Sequence, residues 1–400
     1  MNTATLALRY LWSRPLTALL NLLLLTLGLA AITFVVLVGE QAGRAFERDL
    51  AGIDLVVGAK GSPLQLILAG VFQIDVPPGN VPLAEVRALQ KHPQVARLIP
   101  LSMGDSLRGH RIVGTTPDYL AHYGLSLARG QGGFGPMEAL LGAGVARATG
   151  LAPGEAFVGN HGLGGGGHAH GDTPYRVAGV LAPCGCVADR LVLTSLESVW
   201  RVHEDATTAD EEDRRLLQAE REVTLALIAY RTPLAAVSFP RMVNATTAMQ
   251  AAAPAVEVTR LARMLGVGGD VLRGLGLVLL ATAALSVFIA LWNAVRERRA
   301  DLAMLRMLGA TPARVAALVV CEALWLALIA CVLGLAAGHA LAALVGYVLA
   351  AQQSLPLSGA VWLARELWIP AAALAVAVVA ALIPALSAYR VDVARLLQSR

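Results

Sequence analysis

Charged residues divide this chain into apolar blocks of very different length. No charge falls between Arg14 and Glu40, and Pro15 to Val38 is apolar and long enough to cross a bilayer as a helix. A second block runs from Gly274 to Val295, between Arg273 and Arg296. A third starts after Arg314 and reaches about Gly338, interrupted only by Glu322. The apolar stretch Ala340–Ala351 either extends it or re-enters the interface. A fourth is Leu367 to Leu386. The pattern predicts a polytopic α-helical membrane protein with four transmembrane helices, at 15–38, 271–295, 315–347 and 367–387. The leading MNTATLALRYLWSR is similar to a signal-peptide n-region. The block after it is longer than a signal core of about 7–15 residues and has no convincing small-residue cleavage site, which predicts an uncleaved anchor.

Between the first two spans lie more than 200 residues without a membrane-length apolar run. Ile53–Gly58 is a short strand-like run closed by glycine, and Tyr175–Leu181, Arg190–Thr194 and Val223–Tyr230 read as strands. Leu83–Lys91 has helical spacing, with Pro82 suited to its first turn. Asp205–Glu222 is densely charged and reads as a solvated helix or a loop. Residues 39–270 are therefore expected to form a large mixed α/β extracytoplasmic domain. The apolar run Leu64–Val71 inside it suits core, a membrane-surface helix, a dimer contact or a lip for a hydrophobic substrate.

Composition agrees with the membrane reading. Of 400 residues, 56% are hydrophobic and 15% charged, against about 25% charged in a soluble domain. A cytosolic enzyme and a disordered chain are both excluded. The net charge of +4 is uneven: residues 40–270 hold 20 basic and 23 acidic side chains, a net of −3, and the remainder a net of +7. The basic excess belongs to the membrane portion and its lipids, not to a nucleic-acid partner. Arg9 and Arg14, then Arg296, Arg298, Arg299, Arg306 and Arg314, then Arg390, Arg395 and Arg400 all flank the same side of a four-span chain. The positive-inside rule makes that side cytoplasmic. Segments 1–14, 296–314 and 388–400 are then cytoplasmic; 39–270 and the loop 348–366 lie outside.

The 296–314 connection carries more than topology needs. Arg296–Leu308 reads as an amphipathic helix with Leu302, Met304, Leu305 and Leu308 as its apolar side. Gly309 fits the left-handed position after a helix, Thr311 fits an N-cap and Pro312 a first helical residue. Helix, stop and restart are written within a few residues.

This stretch resembles the FtsX/MacB-like permeases of ABC transporters (type VII, mechanotransmission class). They carry an E-R-R-x-[ED]-[IL]-x-x-[LM]-[RK]-x-[LM]-G-A run after the second span. Here it is Glu297-Arg298-Arg299-Ala300-Asp301-Leu302 through Leu308-Gly309-Ala310. Asp301 stands where glutamate is commoner. Glu322, Gly334 and Gly338 continue the match, as do Pro384-Ala385, Ala388, Arg390 and Leu396-Leu397 at the end. One span, a large outer domain and three spans is the family's layout. The resemblance implies a permease subunit of the bacterial inner membrane, not itself an enzyme, paired as a homodimer or with a second permease. ATP and Mg would bind a separate cytoplasmic ABC ATPase. No G-x-x-x-x-G-K-[ST] phosphate loop occurs in this chain. The resemblance assigns Arg296, Glu297, Arg298, Arg299, Asp301, Leu305 and Gly309 to coupling with that ATPase. It implies movement of the outer domain for transport or extraction, or for signalling to an outer partner such as a cell-wall hydrolase. A periplasmic adaptor or lipoprotein is a further expected partner.

A second chemistry sits in the outer domain. His161, His168, His170 and Asp172 share one glycine-rich loop, with Cys184, Cys186 and His203 further on. Imidazole, carboxylate and thiolate together suit zinc or another transition metal. The plain alternative is a glycine-rich loop with incidental histidines. Cys184 and Cys186 pair with each other, bind metal or stay free. Glu322 inside the third span either faces the bundle or snorkels to the interface. The segment 52–81 and the Pro174–Pro183 strand also resemble a subgroup of these permeases, with an association to metal. A membrane-anchored metalloenzyme is a rival class, but H-E-x-x-H and G-x-S-x-G are both absent.

Overall fold

A computed structural model describes residues 3–13, 15–162, 173–204, 220–351 and 357–390. The helices in chain order are α1 (Thr3–Trp12), α2 (Pro15–Leu50), α3 (Pro63–Gly70), α4 (Leu83–Gln90), α5 (Pro117–His122), α6 (Ala143–Thr149) and α7 (Leu196–Glu204), followed by α8 (Ala235–Thr246), α9 (Pro254–Glu297), α10 (Arg299–Met307), α11 (Pro312–Ala351) and α12 (Trp368–Tyr389). The chain forms two compact units. One holds residues 1–42, 265–350 and 357–400; the other holds 43–264 and 351–356.

In the first unit, four helices among the described residues are long and apolar enough to cross a membrane, within Pro15–Leu50, Arg273–Glu297, Pro312–Leu349 and Ala364–Tyr389. The Ala340–Ala351 stretch continues the third span as one helix. The helices themselves outrun the hydropathy blocks. α2 continues to Leu50 and α9 begins at Pro254. Hydropathy marks the length needed in lipid, whereas Gln41, Ala42, Arg44 and Glu47 are good helix formers that need no lipid. The segment 1–14, expected as a cytoplasmic N-terminus, contains helix α1. Ala7 is fully buried in the bundle core, and Leu6, Tyr10 and Leu11 pack against it. Exposed aromatics gather at the span ends, with Trp12 and Tyr389 on one side and Tyr347, Trp362 and Trp368 on the other. This is the interfacial belt expected of a membrane bundle.

Small residues bring the spans together. Gly334 and Gly338 of α11 lie against α2, where an added Cβ would come within 2.6 Å of Leu29 Cβ and of Thr33 Cβ respectively. In α12, Ala373, Ala377, Ala381 and Ala385 recur every four residues and are all buried. Lipid supplies no hydrophobic drive between helices, so close backbone approach is how such helices gain dispersion energy. The loop 357–366 is stapled to the same bundle. His339 bonds Gly359 O at 2.7 Å and Glu366 Oε2 at 2.8 Å. The Gln41 amide exchanges two bonds with the Ser358 backbone, and Arg365 meets Glu40 at 3.1 Å.

The second unit is built on a mixed sheet. Its strands are β1 (Leu55–Ala59), β2 (Val81–Pro82), β3 (Val95–Leu107), β4 (His110–Thr115), β5 (Leu127–Gly130), β6 (Glu138–Leu141), β7 (Ala156–Phe157), β8 (Asn160–His161), β9 (Tyr175–Leu181), β10 (Val192–Ser195), β11 (Glu222–Val223), β12 (Leu225–Tyr230) and β13 (Met249–Ala252). The main sheet has the order β13-β1-β12-β3-β4-β10-β6-β9-β5, with β7 on β9 and β8 on β3. Successive residues feed opposite cores: Val56, Ile99 and Leu227 enter one cluster, and Leu55, Val57, Leu98 and Ile228 the other. Burial on both faces explains why these strands read as continuous apolar runs without alternation. Leu66, Ile67 and Val71 are fully buried, so the Leu64–Val71 run is largely core.

Gly338→Leu is expected to force α11 away from α2 and to destabilise the bundle by about 1–3 kcal/mol, as overpacking does. Gly39→Ala meets nothing within 4 Å and should cost no stability, alanine being the better helix former. Thermal unfolding of the detergent-solubilised protein compares the two.

Candidate functional site

Arg298 stands between α9 and α10, and its side chain turns into the bundle. Nη1 donates to Glu322 Oε1 of α11 at 3.2 Å. Nη2 donates to Tyr10 O at 3.2 Å and to Ser13 Oγ at 2.7 Å. The guanidinium also lies over the Tyr10 ring, 4.5 Å from its centre. The side chains of Arg298 and Glu322 are 14% and 9% exposed, so the pair is largely removed from water. Glu322 thus faces the bundle. One planar cation joins α1, the α9–α10 junction and α11. Trp325 reinforces this tie by donating to Ala4 O at 3.0 Å. A cavity of about 140 Å³ adjoins the pair, lined among others by Asn21, Asn293 and Glu297. It is polar and roomy enough for several waters. Asn21 and Ser286 bond at 2.5 Å and tie α2 to α9.

Helix α10 leaves this knot and stops on schedule. Ala310 N bonds Leu305 O and Gly309 N bonds Arg306 O, both at 3.0 Å, with Gly309 at φ +95°. That is a Schellman cap. Thr311 Oγ1 then accepts the Arg314 N–H at 3.3 Å, and Pro312 opens α11. Asp301 in the first turn and Arg306 in the last complement the helix dipole.

The expected single apolar side runs from core to surface. At about 100° per residue, Leu302 and Met304 stand nearly opposite, with Leu305 and then Leu308 between them. Leu302 and Ala303 are buried and Leu305 packs half-buried on the core. Met304, Met307 and Leu308 are exposed at 54%, 56% and 80%. Arg296, Glu297, Arg299, Asp301 and Gly309 are also exposed. The i, i+3, i+4 spacing of Met304, Met307 and Leu308 was the available signal for the outward face. Tyr10, Ser13 and Trp325 carried no sequence signal of their partnership.

In the α/β unit, His161 sits on β8 with its Nδ1 3.3 Å from Asp105 Oδ1 of β3. The histidine is 62% exposed and the aspartate 2%. Burial raises the Tyr175 phenol above its ordinary range, and Asp105 raises it further. Cys184 and Cys186 are joined in a disulfide, which corrects their reading as metal ligands because neither sulfur is a thiolate. His168, His170, Asp172 and the His203 side chain lie outside the described residues. Among the described residues, no three His, Cys, Asp or Glu gather as a metal site.

Removing one partner of a buried pair strands the other charge, at a cost of about 3–5 kcal/mol. Glu322→Gln and Arg298→Gln should therefore each destabilise the bundle strongly. The double variant should recover part of the loss, as a thermodynamic cycle on thermal unfolding would measure.

The FtsX-like permease C-terminal model matches residues 273–393. The MacB-like periplasmic core domain model matches residues 18–256. No curated protein matches the chain. Two solved structures are similar to parts of it. The periplasmic region of MacB from Actinobacillus actinomycetemcomitans is 12% identical, over 53% of this chain and 95% of that one, with a TM-score of 0.35. The extracellular domain of the noncanonic ABC-type transporter YknZ from Gram-positive bacteria is 13% identical, over 50% and 98%, with a TM-score of 0.31. The two family models together take in the α/β unit and the last three spans, and on them the chain belongs to the FtsX/MacB-like permeases, the membrane subunits of ABC transporters.

Proposed function

We propose that this chain converts ATP hydrolysis in a separate cytoplasmic ATPase into movement of its α/β domain, for transport or extraction of a substrate. The observation that carries the reading is the exposed triad Met304, Met307 and Leu308 on a helix capped at its end and anchored by Arg298 at its start. An exposed apolar ridge suits a groove on a partner protein. The buried anchor would pass displacement of that helix to α1 and α11. Exposed Arg296, Glu297, Arg299 and Asp301 would set its register; Arg298 and Leu305 would act from inside. The face carrying α10 is then cytoplasmic, and so are both termini, in a bacterial inner membrane. The working unit is a pair of permeases.

Metal handling is a second proposal, carried by His161 and Asp105. A carboxylate brought to Nδ1 would favour the tautomer whose Nε2 is free to ligate, an arrangement common beside bound metals. His168, His170 and Asp172 would complete the donor set for zinc or another transition metal.

Met304→Asp with Met307→Asp should abolish stimulation of the co-expressed ATPase and its co-purification, while membrane insertion is retained. Full stimulation in reconstituted vesicles would refute the docking face. For the metal, mass spectrometry of the native protein and of the His161→Ala, His168→Ala, His170→Ala variant should show bound zinc lost in the variant. No metal above background in the native protein would retire that proposal.

A further inference from the structure

The Cys184–Cys186 disulfide lies where the last turn of α2 is received. Arg48 Nη1 donates to Gly185 O. Asp49 Oδ1 accepts the Val187 N–H at 2.9 Å. From the other side, Asp189 accepts the N–H groups of Cys184 at 3.0 Å and Gly185 at 2.7 Å. Gly185 is at φ +64°, and a Cβ there would stand 2.8 Å from the Arg48 guanidinium. The short loop is therefore shaped to take the helix end, and the cross-link holds that shape. Apart from this loop, α2 is fastened here by Phe46 against Phe72, with ring centres 4.8 Å apart, and by the Tyr123 hydroxyl on Asp49 O at 3.0 Å.

We propose that Cys184–Cys186 is a thiol–disulfide exchange site for a dithiol protein of thioredoxin-like chemistry, and that its redox state sets how firmly the last turn of α2 is held. The two sulfurs differ in access. Cys184 is half-buried beside exposed Gly185, and Cys186 is buried. The partner's thiolate attacks Cys184 Sγ; the S–S bond breaks, and Cys186 Sγ leaves with the electron pair and takes a proton. The partner's second thiolate then attacks its own sulfur in the mixed disulfide. Cys184 leaves as a thiolate and is protonated, and the partner departs as a disulfide. The chain gains two electrons and two protons; the partner loses them. Asp189 Oδ1, 3.5 Å from Cys184 Sγ, accepts the new S–H and favours the reduced form once made. The freed loop then loses the shape that Arg48 and Asp49 require.

The test uses the full chain in lipid nanodiscs with a purified thioredoxin-type protein, and glutathione at equal thiol concentration. Maleimide labelling should find the native pair oxidised. The dithiol protein should open it at least about tenfold faster than the monothiol. A partner with its second thiol changed to Ser should trap a mixed disulfide on Cys184 and not on Cys186. Amide exchange at 46–50 and 185–187 should then rise about tenfold. Cys184→Ser should show the same rise without reductant. A pair that stays closed to the dithiol protein overturns the exchange site. Opening without faster exchange at 46–50, in both the reduced protein and the Ser variant, overturns the link to α2.

Discussion

A guanidinium buried against a carboxylate inside an apolar bundle needs polar partners, and Arg298 finds three, two from α1 and the residue after it and one from α11. The constraint runs outward from there. α1 must fold back so that Tyr10 O and Ser13 Oγ reach Nη2, which is why Ala7 is buried. α11 must present Glu322 at the right depth. α10 must start at the residue after Arg298, and that start fixes which of its side chains point outward. The Schellman cap at Gly309 then ends the helix after Leu308, so the exposed ridge is short and its position is determined at both ends. A buried ion pair adds little net stability over well-packed apolar groups. Its value here is geometric, because it specifies one arrangement of the elements around it.

The α/β unit follows a different logic. Its sheet is covered on both faces, and short additions and loops carry the chemistry. β8 is a two-residue addition to β3 that brings His161 beside Asp105. The Cys184–Cys186 loop follows β9 and precedes β10. Each feature rests on a strand whose inner residues are locked in core. The loops are thus displayed from a rigid support.

Much of this was legible in the residues. The four spans follow from apolar length, and the strands within 53–58, 175–181 and 223–230 from short apolar runs. Gly309, Thr311 and Pro312 announced the turn because capping is local chemistry, readable over a few residues. What was hidden depends on distance along the chain or on handedness around a helix. Arg298 and Glu322 are separated by a helix, a turn and part of another helix, so neither names its partner. The four apolar residues of α10 read as one stripe, whereas packing divides them between core and surface. The ends of α2 and α9 were missed because hydropathy stops at the polar boundary while the helical backbone continues. The two outer cysteines left pairing, ligation and freedom open, and only their closeness in space chose pairing.

The contact of α11 with α2 at Gly334 and Gly338 has a mechanical consequence. Side chains at an ordinary helix interface can change rotamer and let the helices slip. Backbone pressed on Leu29 and Thr33 has no rotamers to change, and sliding by one residue would drive a neighbouring side chain into the space a glycine leaves. These two helices therefore shift together or separate, but do not glide. The bundle has fewer independent parts than it has spans, and a push delivered to one of the pair arrives at the other without loss of travel.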